Sequence, residues 1–181
     1  MQFTQMAIEG AWVHTPTRHE DNRGHFEEQF KLSAIESQLG RSFEVKQVNQ
    51  SVSAKGVIRG IHFTDSPEGQ AKYVSCPKGA IWDVVVDLRP ESKTYGKWDA
   101  VVISAENGKS VLIAEGLGHA FLSLEENSVA TYLCTAEYQA EFDKTVNVFS
   151  TKLGISFQRI ATEFEVTVFR FSDKDETAAN F

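Results

Sequence analysis

The stretch SFEVKQVNQSVS, from Ser42 to Ser53, has two distinct faces if it forms a β-strand, because successive side chains of a strand point to opposite sides. One face carries Phe43, Val45, Gln47, Asn49 and Ser51, and the other carries Glu44, Lys46, Val48, Gln50 and Val52. Further strand candidates follow it: GVIRGIHF, AKYVSC, AIWDVVVDL, WDAVVISA, SVLIAEG, AFLSL and VATYLCTAEY. They are rich in Val, Ile, Tyr and Phe and are bounded by turn-forming residues. So many short strands predict an all-β fold, a β-sandwich or jelly roll.

The 181 residues suit a single domain, with a β core over about residues 20–172 and terminal segments packing on it or on a partner. One helix is predicted at LSAIESQLG, residues 32–40, with Ser33 as a candidate N-cap and Gly40 as its stop. FEVTVFRFS, residues 164–172, alternates weakly and predicts one edge strand. The polar end, DKDETAANF, is expected to form a single helical turn.

The net charge of −7 argues against a nucleic-acid-binding protein, whose affinity comes mostly from basic surface. It leaves room for a small anionic ligand, which needs only a local cluster of basic side chains. No apolar run is long enough to span a membrane, and MQFTQMAIEG lacks the features of a secretory signal. Cys76 and Cys134 lie inside predicted strands, so we expect reduced, buried thiols and a cytoplasmic protein.

The segment VIRGIHF, Val57 to Phe63, places two polar side chains in an apolar strand. Arg59 and His62 are three residues apart, so a regular strand would point them to opposite faces. Gly60 lies between them, and a glycine inside a strand often marks a β-bulge. A bulge at this position would let both side chains point inward, whereas a regular strand would allow only one to do so.

Other strands also carry polar residues where apolar ones are expected. The full inward-facing set is Gln47, Asn49, Arg59, His62, Lys72, Asp83, His119 and Tyr132. Each has an ordinary structural explanation on its own, such as a hydrogen-bonded core histidine, a packed tyrosine or a solvated edge lysine. Asp87 and Arg89, in DLRPES, fit a turn with a local ion pair. The number of polar residues, drawn from six or more strands, favours a barrel interior that holds a ligand.

Several kinds of chemistry are disfavoured by missing motifs. The chain has no nucleophile elbow, no phosphate-binding P-loop and no dinucleotide fingerprint. The usual cupin metal site needs a His-x-His pair, but His62 is followed by Phe63 and Thr64. We therefore expect no metal and no cofactor. Acid–base chemistry remains, with histidine as a base, tyrosine as a weak acid and lysine as a stabiliser of an oxyanion.

Five longer motifs occur in order along the chain: DNRGHFEEQF, QVNQSVSAKGVIRGIHF, GQAKYVSCPKGAIWDVVVDLRPESKTYGKW, EGLGHAFLSLEENSVATYLCTAEY and FSDKD. In these motifs the sequence resembles the dTDP-4-dehydrorhamnose 3,5-epimerases and related nucleotide-sugar 3- and 5-epimerases. The resemblance implies a cupin-like jelly-roll barrel, a homodimer and no metal. It also implies a dTDP-linked 4-keto-6-deoxyhexose as substrate, on the route to dTDP-L-rhamnose, with no nucleic-acid or membrane partner.

The resemblance also implies roles for four residues. His62, the histidine of RGxH, would remove a proton beside the ketone, and Asp175 of SDKD would orient its imidazole and stabilise the imidazolium. Lys72 of QAK would lie at the enolate oxygen. Tyr132 would return a proton from the other side, which suits a hydroxyl with a reference pKa near 10.

Substrate contacts follow from the same resemblance. Implied nucleotide, pyrophosphate and sugar contacts are Arg23, Glu28, Gln47, Asn49, Arg59 and His119. Asp143 stands where the family often has Glu, and Lys174 where it has a basic residue. An arginine suits bidentate binding of phosphate, which lets an acidic protein hold an anionic ligand.

The segment VNVFSTKLGISFQ, residues 146–158, lacks the tryptophan- and proline-containing motifs common in the family. This departure leaves open the choice between double and single epimerisation. The alternatives are a 3- or 5-epimerase of an unusual deoxysugar pathway, a non-catalytic cupin-like sugar-binding module, and a metal-dependent cupin oxygenase. The sequence disfavours the binding module, since a base, an acid and an oxyanion group are all present.

Overall fold

The computed structural model describes all 181 residues, which form thirteen β-strands and three short helices. In chain order these are β1 (Gln2–Gln5), β2 (Ala11–Thr15), β3 (His19–Asp21), β4 (Gly24–Phe26), α1 (Leu32–Leu39), β5 (Gln47–Ser53), β6 (Ile58–Thr64), β7 (Lys72–Lys78), β8 (Ala80–Asp87), β9 (Trp98–Ser104), β10 (Ser110–Ile113), β11 (Leu117–Ser123), β12 (Ser128–Cys134), β13 (Asp143–Thr145), α2 (Phe157–Glu163) and α3 (Asp173–Glu176). Among the helices, none is both long and apolar enough to cross a membrane.

Two large antiparallel sheets form the barrel. The six-stranded sheet has the order β1-β2-β10-β7-β12-β5, and the five-stranded sheet has the order β13-β6-β11-β8-β9. The short strands β3 and β4 pair only with each other, as a separate hairpin. Apolar residues of the two large sheets pack together in one core, which includes Val74, Val111, Ile81 and Phe121. This architecture confirms the predicted all-β jelly roll.

Strand β8 shows how the sequence builds two cores at once, because all eight of its residues are buried. Ile81 and Val85 point into the core between the sheets, whereas Trp82 and Val84 point the other way. That second face packs against the C-terminal part of the chain, where Phe157 meets the Trp82 ring edge to face at a centroid distance of 5.1 Å. A strand that is covered on both faces has a nearly continuous apolar sequence, as in AIWDVVVDL.

Helix α1 covers part of the outer face of the six-stranded sheet, where Ile35 is fully buried beside Tyr73. Gly40 ends the helix in the left-handed conformation, with φ of 73°, as predicted. The predicted N-cap at Ser33 is wrong. Helix α1 begins at Leu32, so Lys31, two residues before Ser33, occupies the cap position. No side chain caps the first turn.

The β core begins earlier than the predicted boundary near residue 20. Strands β1 and β2 precede that boundary and belong to the six-stranded sheet, where β2 pairs with β10. Their apolar residues are few, and His14 occupies a fully buried position in β2. The weak alternation of these strands concealed them in the sequence.

The C-terminal part differs from the prediction in two places. Residues 164–172 form no strand, because Phe169 and Phe171 pack with Phe149 and leave only one bridge, between Val57 and Arg170. Helix α2 lies just before this segment and was not predicted. The predicted helical turn at the polar end is present as α3, which the Ser172 side chain caps.

The DLRPES turn after β8 contains the predicted ion pair and extends it into a network. The carboxylate of Asp87 is fully buried and accepts hydrogen bonds from Arg89, Ser92 and Thr94. Burial alone would raise the pKa of Asp87, but these hydrogen bonds outweigh it and hold the pKa well below its usual value. The ionised carboxylate therefore stabilises the fold.

We expect Asp87→Asn to lower the free energy of unfolding at pH 7 by about 1–3 kcal/mol, with Tm falling about 2–4 °C per kcal/mol. A carboxyl group with a lowered pKa stabilises the fold above its unfolded pKa of about 4 and loses this effect as the pH falls further. The difference in Tm between wild type and variant should therefore shrink below about pH 4. Thermal unfolding from pH 7 to 3 measures it, with the exposed Glu91→Gln as control. A constant Tm difference across this range would contradict the assignment.

Candidate active site

The bulge predicted at Gly60 is present in β6. Between the pairs His119–His62 and Phe121–Arg59, strand β11 advances two residues while β6 advances three. The extra residue restores the alternation, so Arg59 and His62 both lie on the inner face of the five-stranded sheet. Gly60 has φ of 110°, and a Cβ atom there would come within 2.4 Å of the carbonyl oxygen of His119. Only glycine fits this close approach of two backbones.

A cavity of about 140 Å³ lies between the two sheets at their open end. Most of its lining is polar: Gln47, Asn49, His62, Thr64, Gln70, Lys72, Tyr132, Glu137, Tyr138, Gln139 and Asp143. Strands β5, β7 and β12 contribute from one sheet, and β6 and β13 from the other. The structure thus brings six of the residues that the sequence singled out around one space: Gln47, Asn49, His62, Lys72, Tyr132 and Asp143.

A short hydrogen bond joins His62 to Asp175, which is 113 residues away in sequence. The Nε2 atom of His62 lies 2.6 Å from Oδ1 of Asp175. Because an ionised carboxylate only accepts, Nε2–H donates and Nδ1 carries the free lone pair. Burial alone would raise the pKa of Asp175, but hydrogen bonds from His62, Ser172 and Gly60 outweigh it and lower the pKa. The carboxylate thus stays ionised beside the imidazole.

Lys72 projects from β7 into the interior and is almost fully buried. Burial lowers the pKa of its ammonium group, while Cys134, Asp143 and Asp83 oppose that shift. Two of these neighbours are carboxylates that favour the charged form. Burial outweighs the neighbouring charges, so the pKa of Lys72 lies below its ordinary value.

Tyr132 projects from β12, on the wall of the cavity opposite to His62. Burial raises the pKa of its hydroxyl and Cys134 adds to this shift, while the Arg59 guanidinium opposes it. The phenol is therefore protonated at neutral pH. Nearby, Gln47 donates to Asn49, and Asn49 donates to the Cys134 sulfur.

Arg59 and His119 lie beside the cavity without lining it. The Nε atom of Arg59 donates to Ser53 at 3.1 Å, and the side chain is otherwise exposed. His119 is buried and its Nε2 donates to Asp83 at 2.7 Å. The other carboxylate oxygen of Asp83 is buried without a partner. Asp83 stood out in the sequence as a charge within an apolar run, but the pattern did not reveal its partner.

Arg23 and Glu28 do not reach the cavity of their own chain. Arg23 lies at the tip of the β3–β4 hairpin, where it is exposed and paired with Asp21. Glu28 is also exposed, and its Oε1 atom lies 3.8 Å from Nζ of Lys31. Lys174 lies at the rim of the cavity, where its Nζ donates to Asp143 at 2.5 Å.

Sequence reasoning missed the loop that follows β12. Glu137, Tyr138 and Gln139 line the cavity from this loop, and the Tyr138 ring is 62% exposed. The predicted strand VATYLCTAEY extends to Tyr138, whereas strand β12 ends at Cys134.

A larger hollow, of about 370 Å³, lies under the N-terminal segment beside Glu27 and Lys109. The Glu27 carboxylate in this hollow already accepts hydrogen bonds from Arg18 and Gln29, and these bonds anchor the segment to the sheet. It contains no tyrosine and no fully buried lysine. We therefore regard the smaller cavity as the candidate active site.

Two antiparallel sheets enclosing a histidine–aspartate pair, a buried lysine and a tyrosine define a jelly-roll protein with an acid–base site. The family model described as dTDP-4-dehydrorhamnose 3,5-epimerase matches residues 5–181. A Mycolicibacterium smegmatis protein of that name is 43% identical over 178 residues, covering 98% of this chain and 85% of the relative.

Two solved structures are similar over almost the whole chain. The rmlC epimerase of Mycobacterium tuberculosis has a TM-score of 0.93 at 38% identity, covering 99% of this chain and 88% of that one. A 3'-monoepimerase from Streptomyces bikiniensis in complex with dTDP-quinovose has a TM-score of 0.88 at 41% identity, covering 96% and 85%. The chain belongs to the dTDP-4-dehydrorhamnose 3,5-epimerase family, and it is an isomerase.

We expect Gly60→Ala to destabilise the protein by more than about 1 kcal/mol, because the new Cβ meets backbone atoms of β11 in addition to the cost of a positive φ. Gly154→Ala is the matched control, since Gly154 also has a positive φ, of 62°, with no atom within 4 Å of its added Cβ. The variant at Gly60 should unfold at the lower temperature of the two. Equal losses of Tm would show that the close approach to His119 does not matter.

Proposed function

We propose that the protein inverts carbons 3 and 5 of a dTDP-4-keto-6-deoxyhexose, in the direction of dTDP-L-rhamnose. The single observation that carries the proposal is the His62–Asp175 pair facing Lys72 and Tyr132 across one cavity. These groups are the base, the oxyanion stabiliser and the acid that epimerisation beside a ketone requires. Membership of the epimerase family supports the same reaction.

In the proposed reaction, Nδ1 of His62 removes the proton from the carbon next to the ketone. The carbonyl oxygen then becomes an enolate oxygen, which the Lys72 ammonium group stabilises. Asp175 stabilises the imidazolium that forms and keeps Nδ1 directed away from itself. Solvent later takes the proton from His62, so the same base serves each carbon in turn.

Inversion requires that the proton return on the face opposite to the base. His62 belongs to the five-stranded sheet and Tyr132 to the six-stranded sheet, so a sugar between them would have one group on each side. The raised pKa of Tyr132 keeps its hydroxyl protonated, as a donor must be. The enolate is a base strong enough to take this proton, and solvent then returns a proton to the Tyr132 phenolate before the second inversion.

The nucleotide end of the substrate would lie towards Arg59. The exposed guanidinium of Arg59 can bind a phosphate in bidentate fashion, and His119 lies one strand away on the same face. Gln47 and Asn49 offer amide groups to the sugar and nucleotide.

We further propose a homodimer. The edge strand β5 exposes Val48 and Val52 by 58% and 56%, and Phe26 of the β3–β4 hairpin is 66% exposed. A second copy would cover this surface and the open edge of β5. Arg23 and Glu28 lie outside the cavity of their own chain, so they would contact the nucleotide that is bound in the neighbouring subunit. Sedimentation equilibrium at micromolar concentration should give twice the mass of 20.2 kDa, and a monomer would contradict the proposal.

A second candidate is a single-site 3-epimerase. A 3'-monoepimerase is 41% identical to this chain, close to the 43% of the Mycolicibacterium smegmatis 3,5-epimerase. The same base, acid and lysine could serve either outcome, because the number of inverted carbons depends on whether the ring can present the second carbon to His62.

Incubation with dTDP-4-keto-6-deoxyglucose in deuterated water tests the function. We expect deuterium at carbon 3 and carbon 5, detected by NMR and mass spectrometry, because each inversion takes a proton from solvent. Deuterium at carbon 3 alone would favour the single-site enzyme. Incorporation at neither carbon would rule out epimerisation of this sugar.

Two variants assign the groups within the same experiment. His62→Asn should slow deuterium incorporation by about 10²–10⁴-fold, because the base is lost. Lys72→Met should slow it by about a hundredfold or more, because one oxyanion donor is lost. Lys78→Gln, at an exposed position of the same strand β7, is the matched control. Normal rates in either test variant would show that other residues perform these steps.

A further inference from the structure

Helix α3 carries two neighbouring charged residues that bind different parts of the barrel. Asp175 accepts from His62 in β6, and Lys174 donates to Asp143 in β13 at 2.5 Å. Asp143 is 23% exposed and Lys174 is 49% exposed, both as side chains. The two hydrogen bonds connect this short turn to β6 and β13, which are adjacent strands of the five-stranded sheet.

These contacts form a closed ring on one wall of the candidate active site. Strand β13 pairs with β6 directly at the site, with Thr145 opposite His62 and Asp143 opposite Thr64. One side of the ring is therefore the backbone ladder between the two strands. The other side runs from His62 through Asp175 and Lys174 to Asp143. A shift of α3 away from β13 would move Asp175 relative to the imidazole.

Helix α3 needs such ties because it has only four residues and cannot be stable by itself. Ser172 caps its first turn, and the amide of Asn147 donates to the carbonyl of Ala179 just beyond it. The backbone of Arg170, two residues before the cap, also bonds to Gly56 and Ile58 and fastens the segment at the start of β6. None of these contacts ties the turn to β13. The turn also carries three carboxylates, at Asp173, Asp175 and Glu176, with Lys174 as its only cation.

We propose that the Asp143–Lys174 ion pair is a positioning pair, which holds α3 over β6 and thereby keeps Asp175 against Nε2 of His62. The catalytic consequence rests on the proposed function. This role differs from the direct substrate contacts that the family resemblance implies for these two residues. It assigns the pair to the orientation of the base, through the position of Asp175.

The test compares the single variants Asp143→Asn and Lys174→Gln with the conservative Lys174→Arg. Asp143→Asn and Lys174→Gln should each lower kcat by about two- to fivefold, the range for a partly exposed ion pair, with KM within about twofold. Lys174→Arg should retain most of kcat, because the ion pair is still present and the charge beside Lys72 is unchanged. Lys144→Gln is the matched control, since Lys144 is exposed on the same strand and bonds only the carbonyl of Glu141.

A second measurement needs no substrate. In the free ¹⁵N-histidine-labelled protein, the Nε2–H proton of His62 should exchange with water faster in the two single variants than in wild type, Lys174→Arg and Lys144→Gln. This readout separates failure of the inference from failure of the proposed function, because it is independent of turnover. Unchanged proton exchange would overturn the inference. So would a rise in KM at constant kcat in Lys174→Gln, which would mark direct substrate contacts as the only role of the pair.

Discussion

The extra residue in β6 is the constraint on which the rest of the site depends. It turns Arg59 and His62 to the same side of the sheet, although their spacing in a regular strand would separate them. The residue that permits the bulge, Gly60, lies against the backbone of β11 and directs its own amide towards Asp175 at 3.5 Å. One glycine therefore sets the direction of the imidazole, allows the neighbouring strand to approach and contributes to the environment of the carboxylate.

The barrel interior is divided between packing and chemistry. At one end, Val74, Ile81 and Val111 fill the space between the sheets as an ordinary core. At the other end, Lys72 of β7 and Tyr132 of β12 line the cavity, so these two strands continue from an apolar to a polar environment. A buried ammonium group is costly unless charges of opposite sign compensate for it, and Asp83 and Asp143 supply them. This local balance is independent of the net charge of −7, which describes mainly the outer surface.

Much of this organisation could be predicted from the sequence, for identifiable reasons. Strands β5 to β12 were predicted because alternation and turn residues are local signals, and the bulge because a glycine interrupted one of them. Gln47, Lys72 and Tyr132 stood out as polar residues in apolar strands, and the structure brings them to one cavity. Partners distant in sequence could not be found this way: Asp83 and His119 are 36 residues apart, and His62 and Asp175 are 113. Only the family resemblance indicated the second pair, since no periodic pattern links a strand to a terminal turn.

The wrong prediction at the C-terminal end of the chain has a physical origin in tertiary packing. Residues 164–172 have strand-like composition, yet their phenylalanines cover the outer face of the five-stranded sheet and their backbone pairs at a single point. Docking of this segment brings α3 to β6, so the carboxylate that orients His62 arrives with the last part of the chain to be synthesised. The terminal residues of a domain are poorly ordered unless they are tied down. The position of His62 therefore depends on the contacts that hold this terminal segment in place. These contacts are the cap at Ser172, the bridge at Arg170 and the ion pair of the turn with β13.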